Sequence, residues 1–254
     1  MEGLYTETAK CTAPHSWTGF DRRRLGLAAI VCWLGFALCV WLVLQGATGA
    51  FDRRGLLAWR TPGTLAFAGS GRAVEAVRDV TALGGVLLRN LFALGAVAAL
   101  ALLHLRRDAV LLTVTVASGW VVNSGMKMLI GRPRPELVPH LTEAGGYSFP
   151  SGHSFGAAVV YLGMALAFAA LAKRRSVRVT IVVGALALSA AVAWSRVLLG
   201  VHYPSDVVAG WLAGTGWALT AYALFDRSAP AINQNVSQAP SGKRAANRSP
   251  TRGS

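Results

Sequence analysis

The 254-residue chain is 54% hydrophobic and only 14% charged, well below the roughly 25% charge of a soluble globular domain, which excludes a disordered protein and argues against a water-soluble one. Its formal net charge of +14 is scattered in small basic groups between apolar blocks. That pattern suits solvated anchors at a membrane surface and not a nucleic-acid-binding face.

A membrane-crossing helix needs about 20 mostly apolar residues, with a range of about 17–25, and six segments meet that test. Residues 1–21 read as a polar leader, and Leu25 to Leu44 is the first span. It is too long for the apolar region of a signal peptide, and no clear small-residue cleavage site follows. Three cysteines cannot complete a disulfide framework: Cys11 lies in the leader, Cys32 and Cys39 in this apolar run, and all three read as structural. The segment Gln45 to Gly85 is too long for a simple turn and carries Arg53, Arg54, Arg60, Arg72, Glu75, Arg78 and Asp79. Between Leu65 and Val80 it can form a short interfacial helix.

Val86 to Leu105 is the second span, with Arg89 near one end where its stem can snorkel to the interface. Ala109 to Met126, Phe155 to Ala172, Val179 to Ser195 and Val207 to Phe225 complete the set. Residues 22–226 thus form one six-span unit. The basic tail 227–254, rich in Ser, Ala, Asn, Pro and Arg, has too few apolar residues to pack. No internal repeat suggests the inverted halves of a transporter. The expected fold is all-α, a polytopic bundle of six transmembrane helices.

Six spans place both termini on one side. That side holds Arg22, Arg23, Arg24, Arg106, Arg107, Lys173, Arg174, Arg175 and Arg178, with Lys10 and the tail's basic residues, and the excess of positive charge makes it cytoplasmic. The chemistry-bearing residues gather at the opposite, extracytoplasmic ends. Lys127 closes span three and is followed by Gly131-Arg132-Pro133-Arg134-Pro135; Pro150-Ser151-Gly152-His153 opens span four; Ser195-Arg196 closes span five; and His202 and Asp206 flank Tyr203-Pro204-Ser205 before span six. Alternating topology brings these groups to one membrane surface.

Their common chemistry is anion handling. Lys127, Arg134 and Arg196 supply three cations, and arginine can clamp a phosphate through two parallel N–H bonds. Ser151 and Gly152 stand where span four begins, so free backbone N–H groups and the helix dipole add to the pull on an anion. The same positive crowd argues against a divalent metal on His153, His202 and Asp206, and no cofactor is expected. Asp206, four residues from His202, can hold one ring nitrogen as N–H and leave the other free to attack phosphorus. His153 has no carboxylate nearby in sequence and is placed to protonate a departing oxygen. Arg132, beside the clamp, is ambiguous. His104 reads as interfacial, His140 and Glu143 as solvated, and Trp33, Trp41, Trp120, Trp194, Trp211 and Trp217 as lipid-facing or packing residues.

Lys127 with Arg134-Pro135, then Pro150-Ser151-Gly152-His153, then Ser195-Arg196 with His202 and Asp206, resemble the three-part signature of the type 2 phosphatidic acid phosphatase family, in order and without departure at a signature position. The resemblance implies a metal-independent lipid phosphatase of the membrane branch. It implies His153 as general acid and His202, paired with Asp206, as the nucleophile that becomes a phosphohistidine. In a bacterial inner membrane it implies undecaprenyl diphosphate, or phosphatidate and phosphatidylglycerophosphate, as substrates, with membrane lipids as the other partners; it leaves the oligomeric state open. Vanadium haloperoxidases resemble the same signature, with vanadate in the phosphate position, and a non-enzymatic membrane transporter is the third reading. The gathering of ionisable groups at one interface, rather than at mid-span, separates the phosphatase from a transporter.

Overall fold

In a computed structural model the described residues are 21–224. The leader expected over residues 1–20 and the tail expected over 227–254 lie outside them, as does the last residue of the expected sixth span. The described residues form eight helices: α1 (Arg22–Leu44), α2 (Gly49–Leu57), α3 (Gly71–Ala82), α4 (Val86–Leu102), α5 (Arg106–Ile130), α6 (Gly152–Ala169), α7 (Arg175–Leu198) and α8 (Pro204–Leu224). Among them there is no strand, only an isolated bridge between Arg60 and Phe67.

Five helices, α1, α5, α6, α7 and α8, are each long and apolar enough to cross a bilayer. The expected second span differs: α4 has 17 residues, and it meets α3 at a 45° bend. The break falls at Gly84-Gly85, where a side chain on Gly84 would collide with Val192 and crowd His153. The interfacial helix expected over 65–80 is α3, six residues later at its start. Leu65 itself has a left-handed φ of 55° in the turn that precedes it. α2 was not anticipated, since GAFDRRGLL has neither an apolar stripe nor length.

α6 is apolar on all faces and sits in the middle, packed by α7 and α8, as a helix without a polar face must. Close approach to α8 depends on Gly210 and Gly214: a Cβ on Gly210 would stand 2.6 Å from the Ser151 carbonyl oxygen, and one on Gly214 would collide with that of Phe155. This is the small-xxx-small contact by which membrane helices gain van der Waals packing that lipid cannot supply. α1 lies along α8 and turns Leu27, Ile30, Val31, Leu34, Leu38 and Trp41 outward. An outward band of that size is the surface of a multi-pass membrane protein.

Arg89 corrects the sequence reading. It does not snorkel; it is 9% exposed and folds against α6 at Gly156, where any side chain would collide with the guanidinium. The residue on the facing helix is small enough to admit it, so burial between helices is open to it. His140 is likewise not simply solvated, because its Nε2 lies 2.7 Å from the Pro135 carbonyl oxygen.

Candidate active site

The C-terminal ends of α5 and α7 and the N-terminal ends of α6 and α8 meet at one end of the bundle, as alternating topology demands. α5 ends at Gly131, whose left-handed φ of 61° turns the chain into Arg132-Pro133-Arg134. Ser148 staples this loop to the approach of α6: its N–H donates to the Arg132 carbonyl at 2.8 Å and its hydroxyl to that of Pro133 at 2.8 Å. Ser151 is the N-cap of α6, its Oγ accepting from the Ser154 N–H at 3.5 Å while its own N–H donates to the Asp206 carbonyl at 3.0 Å. The mouth of α6 is thereby tied to the mouth of α8.

His202 lies between these elements, 2% exposed, and Asp206 is fully buried. Arg134 Nη1 is 3.1 Å from His202 Nε2. A guanidinium only donates, so Nε2 is the accepting, unprotonated nitrogen and the ring proton sits on Nδ1. Nδ1 faces Asp206 Oδ2 at 3.5 Å, an ion-pair distance longer than a formed hydrogen bond. Burial pulls the His202 pKa down to about 4; Asp206 works in the opposite direction, and the positive charges of Arg134 and Lys127 add to the lowering. The ring is therefore neutral at physiological pH, with its lone pair directed at the cations.

Arg134 and Lys127 are held by backbone carbonyls and Arg196 by a side-chain hydroxyl. Arg134 Nε and Nη2 donate to the Gly146 and Gly145 carbonyls at 3.0 and 2.7 Å, and Nη1 also donates to that of Val201 at 2.8 Å. Lys127 Nζ donates to the Tyr147 carbonyl at 2.6 Å. Arg196, 4% exposed, donates from Nη1 to Thr81 Oγ1 at 3.0 Å, and its Nε has no partner. His153 stands beside the α3–α4 turn; its titratable neighbours are Arg196, His202, Arg89 and Arg134, none of them a carboxylate. The eight residues singled out from sequence (Lys127, Arg134, Ser151, Gly152, His153, Arg196, His202 and Asp206) thus lie at one bundle end.

Sequence reasoning missed the support behind them. Arg132 donates to Asp206 Oδ1 at 2.6 Å and to Asp52 Oδ2 at 2.8 Å, with its guanidinium 4.2 Å from the Tyr203 ring centroid. Asp52, 2% exposed on α2, also accepts from the Ser205 N–H at 2.9 Å and hydroxyl at 2.8 Å, so it caps α8 from a distant element. Burial alone would lower the Arg132 pKa, but the two carboxylates outweigh it and raise it. Arg132 is a brace between two acids, and it leaves Asp206 Oδ2 to the Tyr203 N–H at 3.0 Å and to the face of His202. The one available signal was that Asp52 is the sole acid between Gln45 and Val74.

A buried, neutral histidine whose Nε2 meets Arg134, with an acid behind it and Lys127 and Arg196 at the same bundle end, is an arrangement suited to an anion on a helical membrane scaffold. Residues 108–230 match the model of the PAP2 superfamily, the type 2 phosphatidic acid phosphatases whose signature the motifs resemble. Phosphatidylglycerophosphatase B of Bacillus subtilis (strain 168) is 36% identical over 113 residues, covering 42% of this chain and 53% of that protein. Lipid A 1-phosphatase of Rhizobium etli is 37% identical over 118 residues, covering 43% of this chain and 46% of that protein. The matches thus span about half the length of these curated relatives. The fold matches the crystal structure of a transmembrane PAP2-type phosphatidylglycerolphosphate phosphatase from Bacillus subtilis with a TM-score of 0.64 at 24% identity, over 76% of this chain and 94% of that one.

Proposed function

We propose that the protein is a metal-independent lipid phosphatase that works through a phosphohistidine on His202. The observation that carries this reading is the tautomer: Nε2 is a lone pair aimed among cations, and Nδ1–H faces a buried carboxylate. Nε2 attacks the phosphorus of a lipid phosphate or diphosphate, the bond from phosphorus to the leaving oxygen breaks, and that oxygen takes a proton from His153. Asp206 stabilises the positive charge that grows on the imidazole. Lys127, Arg134 and Arg196, with the N–H groups at the mouth of α6 beyond Ser151 and Gly152, receive the charge spread over the phosphoryl oxygens. Water then attacks phosphorus, gives a proton to His153 and releases phosphate with Nε2 restored. The charge balance supports a reaction without metal, since three cations already neutralise the anion.

The bent pair α3–α4 counts as one crossing in this reading, which gives six spans over residues 22–226 with leader and tail on the cytoplasmic side of a plasma membrane. The site then opens at the extracytoplasmic headgroup layer, where chains can stay in lipid while the phosphate enters. That depth favours lipid phosphates over soluble esters, among them undecaprenyl diphosphate, phosphatidate and phosphatidylglycerophosphate; the names of the relatives point the same way.

The test is phosphate release by purified protein in detergent with EDTA present. Turnover is expected for the wild type and none for His202→Ala, while His153→Ala should accumulate acid-labile phosphoprotein from a substrate with a good leaving group. Full activity in His202→Ala overturns the mechanism, and activity abolished by EDTA overturns its metal-independence. Halogenation that requires added vanadate would instead favour a haloperoxidase.

A further inference from the structure

Inward from the catalytic residues, α4, α5 and α6 border an open cleft of about 800 Å³. Most of its wall is apolar, including Leu94, Val97, Val116 and Val159, and Trp120 on its rim is 67% exposed, so the cleft opens sideways to where hydrocarbon chains lie. At the end nearest the site, beside Gly152, the wall turns polar with Arg89, Asn90 and Asn123.

Arg89 belongs to the first turn of α4 and is buried, yet its hydrogen bond is one long contact, Nη1 to the Gly84 carbonyl at 3.4 Å. No carboxylate pairs with it among the described residues. A guanidinium has five N–H donors, and burying it short of acceptors is costly unless a ligand supplies them. Asn123 lies one turn inward of Lys127 on α5; its Nδ2, 3.3 Å from where a Cβ on Gly152 would stand, is the donor it can offer an anion, while its buried Oδ1 is an acceptor and takes no part in holding one. Gly152 and Gly156, a turn apart on α6, keep that wall open beside Asn123 and Arg89. Polar groups therefore descend from the cationic cluster to the top of an apolar cleft in the order Lys127, Asn123, Arg89.

We infer that Arg89 and Asn123 form a second anion subsite for a phosphate of the lipid that is not transferred. This rests on the phosphatase reading and narrows it to lipids with two phosphates. The terminal phosphate meets His202. The second, whether the inner phosphate of a diphosphate or a phosphodiester, lies deeper, toward Asn123 and Arg89. The apolar chains continue into the cleft. Phosphatidate, with one phosphate, leaves Arg89 without its anion. No bond is made or broken at this subsite.

The experiment compares wild type and Arg89→Gln in detergent on phosphatidate, phosphatidylglycerophosphate and undecaprenyl diphosphate. The readout is the ratio of kcat/KM for each two-phosphate lipid to that for phosphatidate. Loss of charge-assisted bonds to the second phosphate is expected to lower the ratio by about 10–100-fold. A fall confined to undecaprenyl diphosphate identifies a diphosphate as the occupant, and a fall confined to phosphatidylglycerophosphate identifies a phosphodiester. Unchanged ratios for both overturn the inference, and general damage gives that result because it lowers all three rates together. Should Arg89→Gln not be recovered folded, Arg89→Lys carries the same test, keeping the charge but losing the planar fork. A wild type that releases phosphate from none of the three overturns the phosphatase reading itself, a result distinguishable from unchanged ratios.

Discussion

Asp206 fixes what His202 can do, because its Oδ2 is the group that Nδ1–H faces. Asp206→Asn can present an amide N–H there instead, which favours the tautomer with the proton on Nε2 and removes the attacking lone pair. The expected loss in kcat is large, up to about 10⁴-fold if the orienting role resembles that of the acid in a Ser-His-Asp triad, with the fold retained. A second expectation concerns pH. With the folded pKa of His202 lowered to about 4 and an unfolded value of about 6.5, the unfolded chain binds more protons between these limits. Stability contributed by neutral His202 is thus present above about pH 6.5 and lost as pH falls toward 4. The apparent Tm of detergent-solubilised protein should fall across that window, and His202→Gln should flatten the slope; an unaltered slope would show that His202 is not the group responsible. At this scale the three motifs were legible because each is local to one span end. Arg132 and Asp52 were not, because their partners lie far off in sequence: an acid followed by Arg53 and Arg54 in an outer segment carries no local sign that it will be buried.

Helix existence was legible from apolar length, and the differences arise where length was not the deciding force. α6 begins at Gly152, earlier than the apolar run at Phe155, because Ser151 caps it and the site residues form its first turn. α4 stops short of a full crossing because the chain bends at Gly84-Gly85 to let α3 reach Arg196 through Thr81. The α6–α8 contact is the element on which site geometry depends most, since the Ser151 N–H is bonded to the Asp206 carbonyl across it. Gly210→Ala should therefore separate two effects. Overpacking is expected to cost about 1–3 kcal/mol of stability, read as a lowered Tm. Displacing Ser151 from Asp206 should lower kcat further than the same added methyl at Gly95, where nothing lies within 4 Å. Equal kcat in the two variants would mean that this contact does not position the site.

Taken whole, the molecule has chemically different ends. Arg22 at the start of α1 donates to the Ala223 carbonyl near the end of α8, which places the basic cluster of Arg22, Arg23 and Arg24 at the end opposite the site. Arg106, Arg107, Arg174 and Arg175 fall at that same end by alternation of the helices. At the site end many basic residues are instead engaged by the protein: Arg60 with the Leu198 carbonyl, Arg78 with that of Leu141, Arg132 with its two acids, and Arg134 with loop carbonyls. The orientation is testable with single cysteines in a background lacking Cys11, Cys32 and Cys39. Pro150 is a poor probe position because its neighbours Phe149 and Ser151 are fully buried, whereas Glu143 in the same loop and Arg174 between α6 and α7 are exposed. In right-side-out membrane vesicles, Glu143→Cys should react with a membrane-impermeant maleimide, and Arg174→Cys should react only after permeabilisation. The reverse pattern would put the phosphate site in the cytoplasm, and with it any lipid whose headgroup is exposed only at the outer leaflet would cease to be a substrate.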